Sequence, residues 1–174
     1  MTGRVPAMRA TLAVSLAALV ALAGWIIAGP YLVTGDIRDG LRAGDAQLLA
    51  RHVDFEAVRA DLKQQLKASI VRQAQADRAD NPYASLAQDI ALSLVDRMVD
   101  AIVTPQGLAR LARGSARATG DEAAEPFADA RYDWEALDRF AIRVPAAQDN
   151  EVVFVLTRDG LVWRMTGIRL PVTR

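Results

Sequence analysis

From Ala10 to Gly35 the chain carries no charged side chain, and this run constrains what the rest can become. Its 26 residues would make roughly 39 Å of α-helix at ~1.5 Å per residue. A hydrocarbon core of ~30 Å takes ~20 apolar residues. Leu12, Val14, Leu16, Leu19, Val20, Leu22, Trp25, Ile26 and Ile27 supply the apolar bulk, with alanines between them. The run predicts a transmembrane segment over residues 10–33. Gly29 and Pro30 are expected to stop its helix, and Trp25 and Tyr31 lie where amphipathic rings favour the headgroup layer. Arg4 and Arg9 precede the run, whereas Asp36, Arg38, Asp39 and Arg42 balance after it. The positive-inside bias then leaves residues 1–9 in the cytoplasm and exports residues 34–174, an inner-membrane arrangement for a bacterial chain. A cleaved signal peptide is the alternative, with Ala21-Leu22-Ala23 as its A-x-A site. The apolar stretch continues well past Ala23, which favours the anchor. A buried core helix is disfavoured, because such helices are seldom uncharged all round.

The chain has no cysteine. Disulfides, thiolate metal sites, cysteine nucleophiles and a lipoprotein anchor are therefore excluded. Of 21 Lys+Arg, Arg4 and Arg9 lie before the run, leaving 19 against 21 Asp+Glu in the remainder. A net charge near −2 gives no support to a nucleic-acid partner. Residues 34–174 suffice for one compact domain.

Residues 34 to about 113 read as helical and residues 137–172 as strands, the pattern of an α+β domain. A short helix is expected from Thr34 to Arg42, then a turn capped by Asp45 that carries Leu48 and Leu49. Asp54 is placed to cap a longer helix whose Phe55, Val58, Leu62, Leu66 and Ile70 form one apolar stripe. Asn81-Pro82 signals a break. From Tyr83 to Val103 the apolar residues cover most of a helix circumference, which predicts a central helix. Its polar stripe holds Ser85, Asp89, Ser93, Asp96 and Asp100. Thr104-Pro105 starts a last helix ending near Gly114, and residues 114–131 read as a flexible connection. A three-stranded antiparallel meander is expected to follow. Phe140, Ile142 and Val144 alternate in its first strand, and Pro145 marks an edge or a strand end. Asp159-Gly160 as the centre of a two-residue turn sets Leu156 opposite Trp163 and Phe154 opposite Met165. Val152, Phe154, Leu156, Trp163 and Met165 then share the face that packs on the helices, and Val153, Val155, Thr157, Val162, Arg164 and Thr166 form the other.

Chemistry is sparsely encoded. His52 is the only histidine, so a catalytic triad or a two-histidine metal site cannot form within one chain. Its bland role is that of a helix-end residue. Asp89, Asp96 and Asp100 point one way and are the one carboxylate constellation. Paired carboxylates can bind a hard cation or run acid–base chemistry, but the solvent face of an apolar helix needs the same residues. Gly35, Gly40 and Gly44 do not follow a strand and make no phosphate loop. Trp134, with Tyr132, Phe154 and Trp163, belongs either to the core or to the wall of a cavity.

Two stretches resemble a bacterial family known as domain of unknown function 2939. One is Tyr31-Leu32, Asp36-Ile37-Arg38-Asp39, Ala43-Gly44-Asp45, Val53-Asp54-Phe55-Glu56-Ala57-Val58-Arg59 and Leu62-Lys63. The other is Arg158-Asp159-Gly160-Leu161-Val162-Trp163-Arg164 with Gly167-Ile168-Arg169-Leu170-Pro171. The resemblance implies an amino-terminal anchor or signal and no established activity, so it assigns no catalytic residue. Helices on one face of a meander are also similar to cone-shaped folds of the nuclear-transport-factor-2 type, which implies a pocket between sheet and helices.

The expectation is a membrane-anchored, non-enzymatic binding or assembly module of the bacterial envelope. Its partners would be the lipid bilayer and an envelope protein or small apolar ligand, with no cofactor. The alternatives are a periplasmic domain cleaved near Ala23, or an enzyme using His52 or Asp89, Asp96 and Asp100.

Overall fold

The computed structural model describes residues 5–77, 84–110, 126–127, 129–145 and 150–171. The uncharged run does not end at Gly29-Pro30. One helix, α1, runs from Val5 to Ala43 with Pro30 inside it, and the short helix expected from Thr34 is its last turns. The absence of a side chain at Gly29 eases the continuity. Proline disfavours helical backbone at the preceding residue through a clash with that residue's Cβ, and Gly29 has none. Thr34 then donates from Oγ1 to the Pro30 carbonyl at 2.7 Å.

Gly44, at φ 63°, ends α1 in a Schellman arrangement. Asp45 N donates to Gly40 O at 2.8 Å and Gly44 N to Leu41 O at 3.3 Å, which satisfies carbonyls the helix end would leave bare. Asp45 at once caps α2 (Ala46–His52), accepting from Gln47 N and Leu48 N. Asp54 caps α3 (Phe55–Asp77), accepting from Ala57 N at 3.0 Å. Val58 on α3 is fully buried, and Phe55, Leu62, Leu66 and Ile70 pack on the same core. Thr104 accepts from Gly107 N at 2.9 Å and caps the helical stretch 105–110. The expected Asn81-Pro82 turn, the helix end near Gly114 and most of the 114–131 connection lie outside the described residues.

Helix α4 (Ala84–Ile102) is not central. Val95, Val99 and Val103 are buried beside α3, while Leu86, Ile90, Leu94, Met98 and Ile102 are 44–59% exposed. Apolarity around a helix records how much surface can be buried, not whether a neighbour is present to bury it. Here α3 covers one side.

The sheet has four strands rather than three, in the order β1-β2-β3-β4 and antiparallel throughout. They are β1 (Arg131–Ala136), β2 (Arg139–Pro145), β3 (Glu151–Asp159) and β4 (Val162–Arg169). The additional strand is β1, which starts at the last residue assigned to the flexible connection. Its alternation of charged Arg131, Asp133 and Glu135 with aromatic Tyr132 and Trp134 has the period of two that strands require. It lacks the aliphatic residues that make the other strands conspicuous. Pro145 closes β2 opposite Glu151.

The β3–β4 register differs from the expected one. Asp159 pairs with Val162, so Gly160-Leu161 is the turn, and Leu156 faces Met165. Gly160 has φ +59° and Leu161 has no positive φ, as in a tight turn whose first central position is glycine. Thr166 is then the extra residue of a bulge, which brings Phe154 opposite Ile168. The Leu156 partner moved by two residues. Side-chain direction alternates with period two, so the faces survive the slip.

The inner face carries Phe140, Ile142, Leu156, Trp163 and Met165, all buried. Val33 of α1, Phe127 and Phe154 touch both this aromatic cluster and the helical core. On the outer face Val153, Val155 and Ala141 are also buried. Strand β4 is an edge, and α3 satisfies its free backbone groups. Asp54 N donates to Met165 O at 2.8 Å, Ile168 N to Asp61 Oδ2 at 3.0 Å, Gln65 Nε2 to Ile168 O at 2.8 Å, and Leu170 N to Gln65 Oε1 at 3.1 Å. Covering an edge in this way removes a template for intermolecular pairing.

Candidate functional site

The sequence candidates occupy three separate places. His52 ends α2, where helix carbonyls favour a donor, and its Nε2 lies 3.2 Å from Asp36 Oδ2 on α1. The pair ties α2 to α1 and is partly exposed.

Asp96 and Asp100 face α3. Lys67 donates to Asp96 at 2.8 Å and Lys63 to Asp100 at 2.8 Å, with Arg59 Nε 3.8 Å from Asp100. Arg59 also donates to Val103 O at 3.1 Å. The hydrogen bond from Lys67 holds the Asp96 carboxyl below the usual carboxylate range against the opposing effect of desolvation, with the Lys67 and Lys63 charges helping. Asp89 is exposed nearer the start of α4. Asp96 and Asp100 thus form an ion-pair ladder between two helices, and no group of three or more metal-ligating side chains is present among the described residues.

Trp134 stands on the inner face of β1. Its ring meets Phe140 edge-on at 5.3 Å and Trp163 at 5.5 Å. Tyr31 of α1 closes the row, 5.0 Å from Phe140 and 5.9 Å from Tyr132. Aromatic pairs at such separations and tilts add to the burial they already provide. Rings from the sheet thus meet Tyr31 of α1. Phe140 and Trp163 are buried, whereas Tyr31, Tyr132 and Trp134 remain 37–46% exposed and form an aromatic wall. Gly29 makes the close approach of α1 to β4 possible: a Cβ there would sit 2.5 Å from Trp163 Cδ1. One turn earlier, Trp25 Nε1 donates to Leu161 O at 3.3 Å.

The outer face holds a network that the sequence reading did not single out. Arg169 on β4 makes a two-pronged bond to Glu135 on β1, at 2.6 and 3.0 Å, joining opposite edges of the sheet. Arg143 donates to Asp133 at 2.7 Å and approaches Glu135 and Glu151 at 3.9 Å. The small residues Ala141 and Gly167, in register with Asp133 and Val155, let the edges curl together. Arg169 lowers the Glu135 carboxyl below its ordinary range, first by its hydrogen bond and then by charge, with Arg143 and Arg139 adding to it. Glu135 raises Arg169 in return. The alternation of charges along β1 was the signal for this network, and reading residues 131–136 as a strand would have exposed it.

The structure therefore brings Asp96 and Asp100 together and joins Trp134 to Trp163. His52 and the aspartates are engaged with different helices. A family model described as Protein of unknown function (DUF2939) matches residues 19–111, just over half of the chain. The match runs from inside α1 through the helical half, so the first stretch of resemblance falls within it and the 150–171 stretch lies outside. No curated protein and no solved structure matches the chain. The chain belongs to this DUF2939 family of proteins of unknown function.

Proposed function

We propose that this protein is a non-enzymatic binding or assembly module of the bacterial envelope, tethered by α1 with its domain on the extracytoplasmic side. The observation that carries the reading is the division of α1. It is one helix long and apolar enough to cross a membrane. Every described side chain from Thr11 to Ala28 is exposed except Ile26, which is half-buried. That stretch is about 27 Å long at ~1.5 Å per residue, close to the ~30 Å of a hydrocarbon core. From Gly29 onward the same helix packs into the domain.

Two further features support a binding role over catalysis. His52, Asp96 and Asp100 are committed to contacts between helices. The exposed Leu86, Ile90, Leu94, Met98 and Ile102 lie at intervals of four, the ridge by which helices interdigitate. Filling of the inner face by aromatic rings favours a protein partner over a small apolar ligand. Cleavage near Ala23 would leave the packed half of α1 whole, so the secreted alternative is decided by the mature amino terminus.

The test is fractionation of a tagged full-length chain, with protease added to intact spheroplasts. The expected result is a membrane-bound protein that begins at Met1 and whose domain is digested from outside. A soluble, full-length cytosolic protein would refute the reading.

A further inference from the structure

The two hairpin turns at one end of the sheet carry apolar side chains where turns ordinarily carry polar ones. Leu137 in the β1–β2 turn is 82% exposed, and Leu161 and Val162 at the β3–β4 turn are 55% and 54% exposed. Arg158 N donates to Asp138 O at 2.8 Å, so the two turns lie side by side. The hydrogen bond from Trp25 to Leu161 O fixes their level along α1.

That level can be compared with the membrane. Counted outward from Arg9, the last charge before the run, the ~20 residues that cross a hydrocarbon core end near Gly29. Trp25 lies four residues short of that point, or about 6 Å at ~1.5 Å per residue. The turns held against Trp25 therefore reach a little inside the outer boundary of the core. Arg158 is held against the turn: its Nη1 donates to Gly160 O at 2.7 Å and its guanidinium lies 5.8 Å from the centre of the Trp163 ring. Leu137, Leu161 and Val162 thus stand at the tip beside the exposed carboxylates of Asp138 and Asp159.

We infer that the β1–β2 and β3–β4 turns form a second membrane contact, seating Leu137, Leu161 and Val162 where the headgroups meet the acyl chains around α1. Such a contact would hold the domain upright, with α3 and α4 held clear for a partner. The inference rests on α1 spanning the bilayer, and its test separates the two claims.

The chain has no cysteine, so single cysteines can be placed in the full-length protein and labelled with an environment-sensitive fluorophore. Leu137→Cys and Leu161→Cys report the tips, Asn150→Cys the opposite end of the sheet, and Leu19→Cys the helix. The proteins are reconstituted in phosphatidylethanolamine–phosphatidylglycerol vesicles, with and without lipids carrying a nitroxide close to the headgroup. Labels at residues 137 and 161 should shift to the blue and lose emission with the nitroxide lipid, while the label at residue 150 should do neither. Loss of emission at residue 19 without loss at 137 and 161 overturns the second contact and leaves the span standing. A blue shift at the tips without quenching assigns them to a protein surface and overturns it as well. Absence of quenching at residue 19 overturns the span, and the inference with it.

Discussion

Residues 11–28 and 29–35 of α1 are alike uncharged, yet they meet different surroundings. Among the described side chains of residues 11–28 all but the half-buried Ile26 are exposed, while Pro30, Thr34, Ile37 and Gly40 are buried against the domain. Glycines mark the difference. A Cβ at Gly29 would collide with Trp163 and one at Gly40 would press on Leu49 at 3.1 Å, whereas Gly24 has no neighbour within 4 Å. Hydropathy states that a helix must leave water. Small residues at points of close approach state that another part of the protein is what it meets.

The largest expected effect comes from breaking the outer half. Leu19→Arg places a charge in the middle of the proposed span, at a penalty of about 3 kcal/mol on the insertion scale. The expected outcome is transfer of much of the protein from the carbonate-resistant membrane fraction to the soluble or degraded fraction. The domain's melting temperature, read from tryptophan near-ultraviolet dichroism, should stay unchanged. A protein that remained fully membrane-bound would contradict the division.

The inner half should respond in the opposite sense. Gly29→Val forces a branched side chain against Trp163 and should cost about 1–3 kcal/mol of domain stability without altering membrane retention. Gly24→Val, in the outer half, should leave domain stability unchanged. Thermal unfolding of both variants in detergent micelles checks the pair, and equal destabilisation would erase the distinction between the halves.

The smallest effect sharpens the comparison by adding a third way to cover apolar surface. On the outer face of the sheet, Val153 and Val155 are buried on the side that carries the Arg169–Glu135 ion pair. The bond from Arg169 depresses the Glu135 carboxyl in the folded state. Its contribution is present above the unfolded value of about 4.3 and is lost as pH falls through the lower folded value. Because both partners are partly exposed, about 1 kcal/mol or less is expected. Glu135→Gln should be slightly less stable than the natural protein at neutral pH, and the gap should close as the pH drops below the ordinary glutamate range. Denaturant midpoints measured across that range decide it, and a gap independent of pH would remove the ion pair from the account.

Several parts of this fold were legible without coordinates. Asp45, Asp54 and Thr104 are caps because a short acceptor before a helix satisfies its own neighbours' amides, which is a local matter. The inner face of β3 and β4 was legible because alternation survives a two-residue slip. The register itself was not, since Gly160 can serve at either central position of a tight turn and only the pairing with Val162 chooses. Strand β1 was missed because its inward residues are half-exposed aromatics and its outward residues charges. Of the site candidates, Trp134 was legible as an aromatic partner of Trp163. The roles of Asp96 and Asp100 depend on Lys67 and Lys63, some thirty residues earlier in the chain.

By itself the sequence determined that one long helix must leave water, where the caps fall and which strand faces are apolar. Each of these follows from neighbours along the chain. Only the tertiary structure decided that α1 passes through Pro30 into the domain, that α4 lies at the margin with one side bare, and that the hairpin turns stand level with Trp25. Those outcomes depend on which surfaces meet, and contacts between residues distant in sequence leave no periodicity in the chain to read.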